Sequence, residues 1–116
     1  MAERLRILII DGYPLEGRDQ FKEHGMTPAG KLYGAMLARW SPQPLETVIL
    51  YPADDGVELP DAAGLSEFDG IAWTGSSLCL NDDIEPVHRQ IQLAKDGFTS
   101  GIPRFGSCWA AQIACA

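Results

Sequence analysis

Among the 116 residues of this chain, Cys108 is the side chain best placed for covalent chemistry. It stands between a predicted strand, Ile102 to Phe105, and a run rich in helix formers, Trp109-Ala110-Ala111-Gln112-Ile113-Ala114. Gly106 two positions before it and Ala110 two positions after are small enough to permit a sharp strand-to-helix turn, the geometry of the G-x-S-x-G nucleophile elbow. A thiol raised on such a turn faces the positive end of a helix dipole, which favours thiolate and hence nucleophilic attack. The backbone N–H of Trp109 would then donate to an oxyanion, and the turn at Gly75 can supply a second donor from the neighbouring strand end. The same pattern also fits a small buried hydrophobe at an ordinary strand-helix joint, and the local residues leave both readings open.

Presenting that thiol requires a parallel sheet. Leu5 to Asp11 is a nearly continuous apolar, β-branched run stopped by Gly12, as in a strand buried on both faces. A polar stretch follows, with a short helix expected around Arg18 to Glu23. Thr27 as N-cap and Pro28 in the first turn open a helix whose apolar positions Leu32, Tyr33, Met36, Leu37 and Trp40 recur at helical spacing before Ser41-Pro42. Thr47 to Tyr51 reads as a second strand, Asp54-Asp55-Gly56 as a turn into a loop closed near Pro60, and Gly70 to Thr74 as a third strand. Ile84, Val87, Ile91 and Ala94 share a helical face, with Asp82 or Asp83 as N-cap and Gly97 as the stop. Strands alternating with helices imply right-handed crossovers, helices on both faces and ligands at the carboxyl ends of the strands. Asp11-Gly12-Tyr13, Thr74-Gly75-Ser76-Ser77 and Gly106-Ser107-Cys108 all fall on that edge.

Composition narrows the chemistry further. Hydrophobic residues make up 46% and charged residues 22%, which describes one globular domain. A net charge of -7, from 9 Lys+Arg against 16 Asp+Glu, repels nucleic acid and anionic membrane surfaces. The apolar run Ile7 to Ile10 is too short for a signal peptide or a membrane span, so a cytoplasmic location is expected. Three cysteines (Cys79, Cys108, Cys115), odd in number and without a C-x-x-C pair, suit neither a disulfide framework nor a zinc site. Cys79 and Cys115 read as inert packing. The pairs Asp54-Asp55 and Asp82-Asp83 sit where aspartate caps turns and helices, so neither metal nor cofactor is assigned. Trp40 and Trp73 read as core or pocket wall, and Trp109 as a pocket wall beside the nucleophile.

Gly106-Ser107-Cys108-Trp109-Ala110-Ala111-Gln112 resembles the G-x-C-x-G-x-Q nucleophile motif of class I glutamine amidotransferases. Phe68 to Ser77 resembles the strand and oxyanion loop that precede that motif, and Asn81-Asp82-Asp83, the helix to Gly97 and the Ile-Pro entry to the fourth strand are also similar. The likeness is greatest to stand-alone, GMP-synthase-like members. It implies a flavodoxin-like three-layer α/β sandwich with a mainly parallel sheet. It also implies that Cys108 attacks the side-chain amide of L-glutamine, releases ammonia and passes through a γ-glutamyl thioester that water hydrolyses. On the same resemblance Gly75 and Trp109 carry the oxyanion N–H groups, while Gln112 and Ser76 bind substrate. One turn beyond Cys108, Gln112 faces the same pocket if the helix forms.

Two departures qualify the resemblance. Ala110 replaces the motif's second glycine, and the family's histidine-glutamate base would lie beyond residue 116. His24, in a polar loop, and His88, on a predicted helix, read as solvated. Ala114-Cys115-Ala116 stops the last predicted helix in mid-pattern, so the expectation is the N-terminal portion, residues 1–116, of an amidotransferase domain, apparently truncated. Such a half-sheet should expose an apolar face and either self-associate as a homo-oligomer or be covered by the missing C-terminal half. The rivals are a catalytically silent fragment or flavodoxin-like binding module, and a PfpI-type cysteine hydrolase, whose elbow usually has histidine where Trp109 stands. A flavin phosphate loop would want Ser/Thr after the first strand, where Asp11-Gly12-Tyr13-Pro14 is found.

Overall fold

The computed structural model of the chain describes residues 5–54, 57–76 and 84–106. Its centre is β1 (Leu5–Ile10), a six-residue run in which Ile9 and Ile10 are fully buried. Such burial on both faces fits a strand with parallel neighbours on each side, and each fully buried Leu or Ile contributes about 1.5–3 kcal/mol. β2 (Leu45–Leu50) lies on one side of it, β3 (Gly70–Trp73) on the other, and β4 (Arg104–Gly106) beyond β3. All three pairings are parallel, and the order is β2-β1-β3-β4.

The helices follow from the crossovers. α1 (Leu15–Glu23) leaves the carboxyl end of β1, and α2 (Ala29–Trp40) packs on the face carrying Ile9 and Ile49. The other face holds the main core: Leu8, Ile10, Ile71 and Trp73 of the strands meet Leu65 of α3 (Ala62–Leu65) and Val87, Leu93 and Ala94 of α4 (Glu85–Ser100). The result is the flavodoxin-like three-layer α/β arrangement expected from the alternating elements. No helix among the described residues is long and apolar enough to cross a membrane.

Several boundaries differ from the sequence reading, each for a local reason. α1 starts at Leu15, directly after Pro14, and β2 begins at Leu45, ahead of the expected Thr47. The N-cap of α2 is Pro28 rather than Thr27, and no side chain of its own segment caps it. Gly97 does not stop α4: it is buried inside the helix, where a Cβ would stand at ordinary contact distance, 3.5 Å from Arg104 Cδ and 3.9 Å from Ile71 Cδ1. The helix ends at Gly101, whose φ of +74° is the left-handed cap conformation. Ile84 occupies the N-cap position of α4; Asp82 and Asp83, together with Asp55, Gly56, Ser77, Cys79 and Asn81, lie outside the described residues. The single-turn α3 was not expected; Asp61 caps it by accepting from the Gly64 N–H at 2.9 Å.

Of the tryptophans, Trp73 is in the core as expected, but Trp40 is 76% exposed. α2 covers β1 and β2 only, so the apolar stripe it turns toward β3 and β4 meets no covering layer among the described residues. Met36 and Trp40 instead overhang an apolar groove of about 510 Å³ floored by Ile7, Gly70, Ala72 and Phe105. This groove is an uncovered apolar face among the described residues.

The two glycines of α4 should respond oppositely to alanine. G97A adds a Cβ at ordinary contact distance in a helix interior and should stabilise by about 0.5–1 kcal/mol. G101A forces a Cβ into the left-handed region and should cost about 1–2 kcal/mol. Urea unfolding of both variants checks the assignment, and equal midpoints would contradict the placement of the helix end.

Candidate active site

The strand order reverses at β1: the chain moves out to β2 and then returns to β3 on the opposite side. In open α/β sheets the crevice at such a point is where ligands bind. Two of the three sequence segments singled out above lie at that point: Asp11-Gly12-Tyr13 follows β1 and Thr74-Gly75-Ser76 follows β3. Gly106 is in register with Trp73, so the chain leaves β4 level with Thr74 on the same edge. Cys108, Trp109 and Gln112 lie outside the described residues, as does Cys115.

The two loops are bolted together through the peptide groups of Gly12. Its N–H donates to Thr74 Oγ1 at 3.0 Å, and its carbonyl accepts from Ser76 Oγ at 2.7 Å and from Gln90 Nε2 at 3.2 Å. Gln90 is fully buried, and its Oε1 accepts from Trp73 Nε1 at 3.4 Å. A buried amide has to be satisfied at both ends, and this one is satisfied by linking α4 to the ends of β1 and β3. Thr74 is also fully buried; its hydroxyl donates to the Gly75 carbonyl at 2.9 Å while accepting from Gly12.

Asp11 anchors the other side of the crevice. Its carboxylate is fully buried, Oδ2 accepting from the Gly30 N–H at 3.0 Å and Oδ1 from the Tyr13 N–H at 3.1 Å. Gly30 lies in the first turn of α2, so the cap missing from that helix's own segment is supplied by the end of β1. The closeness is steric as well as electrostatic, because a Cβ on Gly30 would come to 3.0 Å from both Asp11 Oδ2 and Ile49 Cγ2.

Asp54 anchors the segment after β2. Arg18 Nη2 donates to both carboxylate oxygens at 2.9 Å, and the Arg18 guanidinium lies 3.9 Å from the centroid of Tyr51. The Asp54 carbonyl accepts from Arg89 Nη1 at 2.8 Å. Among the described residues Arg18 Nη1 finds no hydrogen-bond acceptor, and the Tyr51 ring face is its compensation. The Asp54 N–H donates to the Tyr51 carbonyl at 3.2 Å, closing a turn over Tyr51 to Asp54 just ahead of the expected Asp54-Asp55-Gly56 turn, and the carboxylate in addition makes this ion pair.

The placement of the sequence-predicted residues is then as follows. Gly75 stands on the crevice edge, where a Cβ would come 3.5 Å from the Tyr13 hydroxyl, and its φ is not left-handed. Ser76 stands beside it with its hydroxyl directed to Gly12. His88 is exposed on α4, and His24 is exposed with Nδ1 2.8 Å from the Gln20 carbonyl. Asp11 and Thr74 were expected on the ligand edge but without an individual role, and Gln90 was not singled out at all. Gln90 carried a usable signal: it falls in line with Val87, Ala94 and Gly97 on the apolar stripe of α4, where a polar residue needs buried partners.

No protein-family profile matches the chain. A gamma-glutamyl-L-1-hydroxyisopropylamide hydrolase from a Pseudomonas species is 38% identical over 114 residues, covering 97% of this chain and 37% of that enzyme. The Trypanosoma brucei CTPS glutaminase domain with bound acivicin superposes with a TM-score of 0.55 at 18% identity, over 95% of this chain and 38% of that one. The chain therefore shares the fold of that glutaminase domain, and it spans little more than a third of the length of either relative.

Removing the Gln90 bridge should loosen the crevice. Q90L keeps the side-chain size but leaves the Trp73 indole N–H unpaired, and should cost about 1–3 kcal/mol. S76A leaves the Gly12 carbonyl with Gln90 and should cost about 1 kcal/mol. Chemical denaturation with Trp73 fluorescence as readout separates them, and a Q90L midpoint equal to wild type would show that the bridge carries no energy.

Proposed function

We propose that the chain is the nucleophile-bearing portion of a cysteine-dependent hydrolase of γ-glutamyl amides, related to class I glutamine amidotransferases. The observation that carries this reading is the 38% identity, across nearly the whole chain, to an enzyme named for hydrolysing a γ-glutamyl amide. The glutaminase-type fold and the elbow-like sequence at the carboxyl end of β4 support it. L-Glutamine and N-substituted γ-glutamyl amides share the reacting group, a γ-carbonyl joined to nitrogen.

The thiolate of Cys108 adds to that carbonyl carbon, forming the C–S bond and placing negative charge on oxygen. The N–H groups of Gly75 and Trp109 receive that charge. The C–N bond then breaks, the nitrogen leaves with a proton as ammonia or amine, and the γ-glutamyl thioester remains. Water attacks the thioester, releasing glutamate and restoring the thiol. Gln112 and Ser76 bind the amino-acid end of the substrate, Ser76 through the hydroxyl that also donates to Gly12. A cytoplasmic setting, suited to a free thiol, goes with this chemistry.

The full-length protein should release glutamate from glutamine or from a γ-glutamyl N-alkylamide. C108A should lower the rate at least about a thousandfold while the protein remains folded. Stoichiometric alkylation mapped to Cys108 should abolish turnover in parallel. Turnover that survives C108A, or glutamate release from neither substrate class, would refute the proposal.

A further inference from the structure

We infer that a small cavity behind Tyr13 receives the N-substituent of the leaving amine, and so selects N-alkyl or N-hydroxyalkyl γ-glutamyl amides over glutamine. The inference rests on the γ-glutamyl amide reading above and adds to it the part of the site that would distinguish among such amides. The cavity, of about 230 Å³, lies against α1 and is lined by Tyr13, Gly17, Gln20, Phe21, His24 and Met26. That volume is below the roughly 300–1,000 Å³ of pockets that enclose drug-sized ligands, and suits a group of a few heavy atoms.

Tyr13 connects this cavity to the crevice. Its backbone N–H is held by Asp11, its ring meets Phe21 edge to face at 5.0 Å, and its hydroxyl lies 3.5 Å from where a Gly75 Cβ would stand. One residue therefore borders both the expected oxyanion turn and the cavity. The lining sorts the two ends of the substrate by charge. A γ-glutamyl head carries an ammonium and a carboxylate, and none of the six lining residues is an Asp, Glu, Lys or Arg. Two aromatic rings and a thioether suit a short alkyl chain, and Gln20 and His24 offer polar atoms for a hydroxyl on it. Glutamine, whose leaving group is ammonia, leaves the cavity unused.

The test compares kcat/KM of the full-length protein for glutamine and for γ-glutamyl N-methyl, N-isopropyl and N-(hydroxyisopropyl) amides, in wild type, M26W and M26A. Met26 is 54% exposed, so both variants are expected to fold. Wild type should prefer the N-isopropyl amide over glutamine by at least tenfold, since a single methylene in a fitted pocket is worth roughly 10–200-fold. M26W, which narrows the cavity, should reduce that ratio at least tenfold, and M26A should move the optimum toward longer N-substituents. Turnover of both substrate classes with a ratio that neither variant shifts would overturn this inference alone. Turnover of neither class would overturn the γ-glutamyl reading and this inference with it.

Discussion

The buried carboxylate of Asp11 is the interaction on which the rest of the crevice depends. A carboxylate without water is costly unless its oxygens are bonded, and here each oxygen accepts one backbone N–H, from Gly30 and from Tyr13. Those two bonds fix the end of β1, the start of α2 and the path of the connecting loop together. The partial positive charge of the α2 N-terminus is thereby met from inside the protein, so that helix end is not available as an anion site.

From that anchor the crevice is assembled by sharing rather than by adding groups. The Gly12 peptide serves Thr74, Ser76 and Gln90, and Asp54 serves Arg18 through its side chain and Arg89 through its backbone. Each shared group ties the end of one strand to a different helix. The arrangement holds the β1 and β3 loops against each other through hydrogen bonds to the peptide groups of Gly12. A nucleophile arriving from β4 would meet loops already held in place, which is what charge stabilisation in acyl transfer requires.

Much of this architecture could be read from residue order. The runs around Ile7 to Ile10, Thr47 to Leu50 and Ile71 to Trp73 are continuous and β-branched or aromatic, so their strand character and parallel pairing were plain. What escaped was whatever depends on residues distant in sequence. Thr27 has the chemistry of an N-cap, but Asp11 takes that role across the sheet. Gly97 looks like a helix stop because spacing alone cannot distinguish a glycine inside a helix from one demanded by a left-handed φ; Gly101 is the latter. The stripe on α2 predicts burial only if something covers it, and Trp40 shows that nothing among the described residues does. The position of Gly75 and Ser76 was legible from the abrupt end of β3, whereas Gln90 was hidden by the ordinary assumption that glutamine on a helix faces water.

The order in which the sheet is assembled has a consequence for how the chain is born. β1 emerges from the ribosome well before its neighbours: Leu5 pairs with Leu45, and Ile7 with Gly70. N-terminal segments are exposed to the cell before their partners exist, and parallel pairings close slowly because long loops must be ordered before any ladder forms. For that interval Leu5 to Ile10 is an unpaired apolar strand with both edges open, the kind of segment that nascent-chain chaperones hold. The residue run that makes the centre of the finished sheet so secure is thus also the part of the molecule most dependent on protection while it is being made.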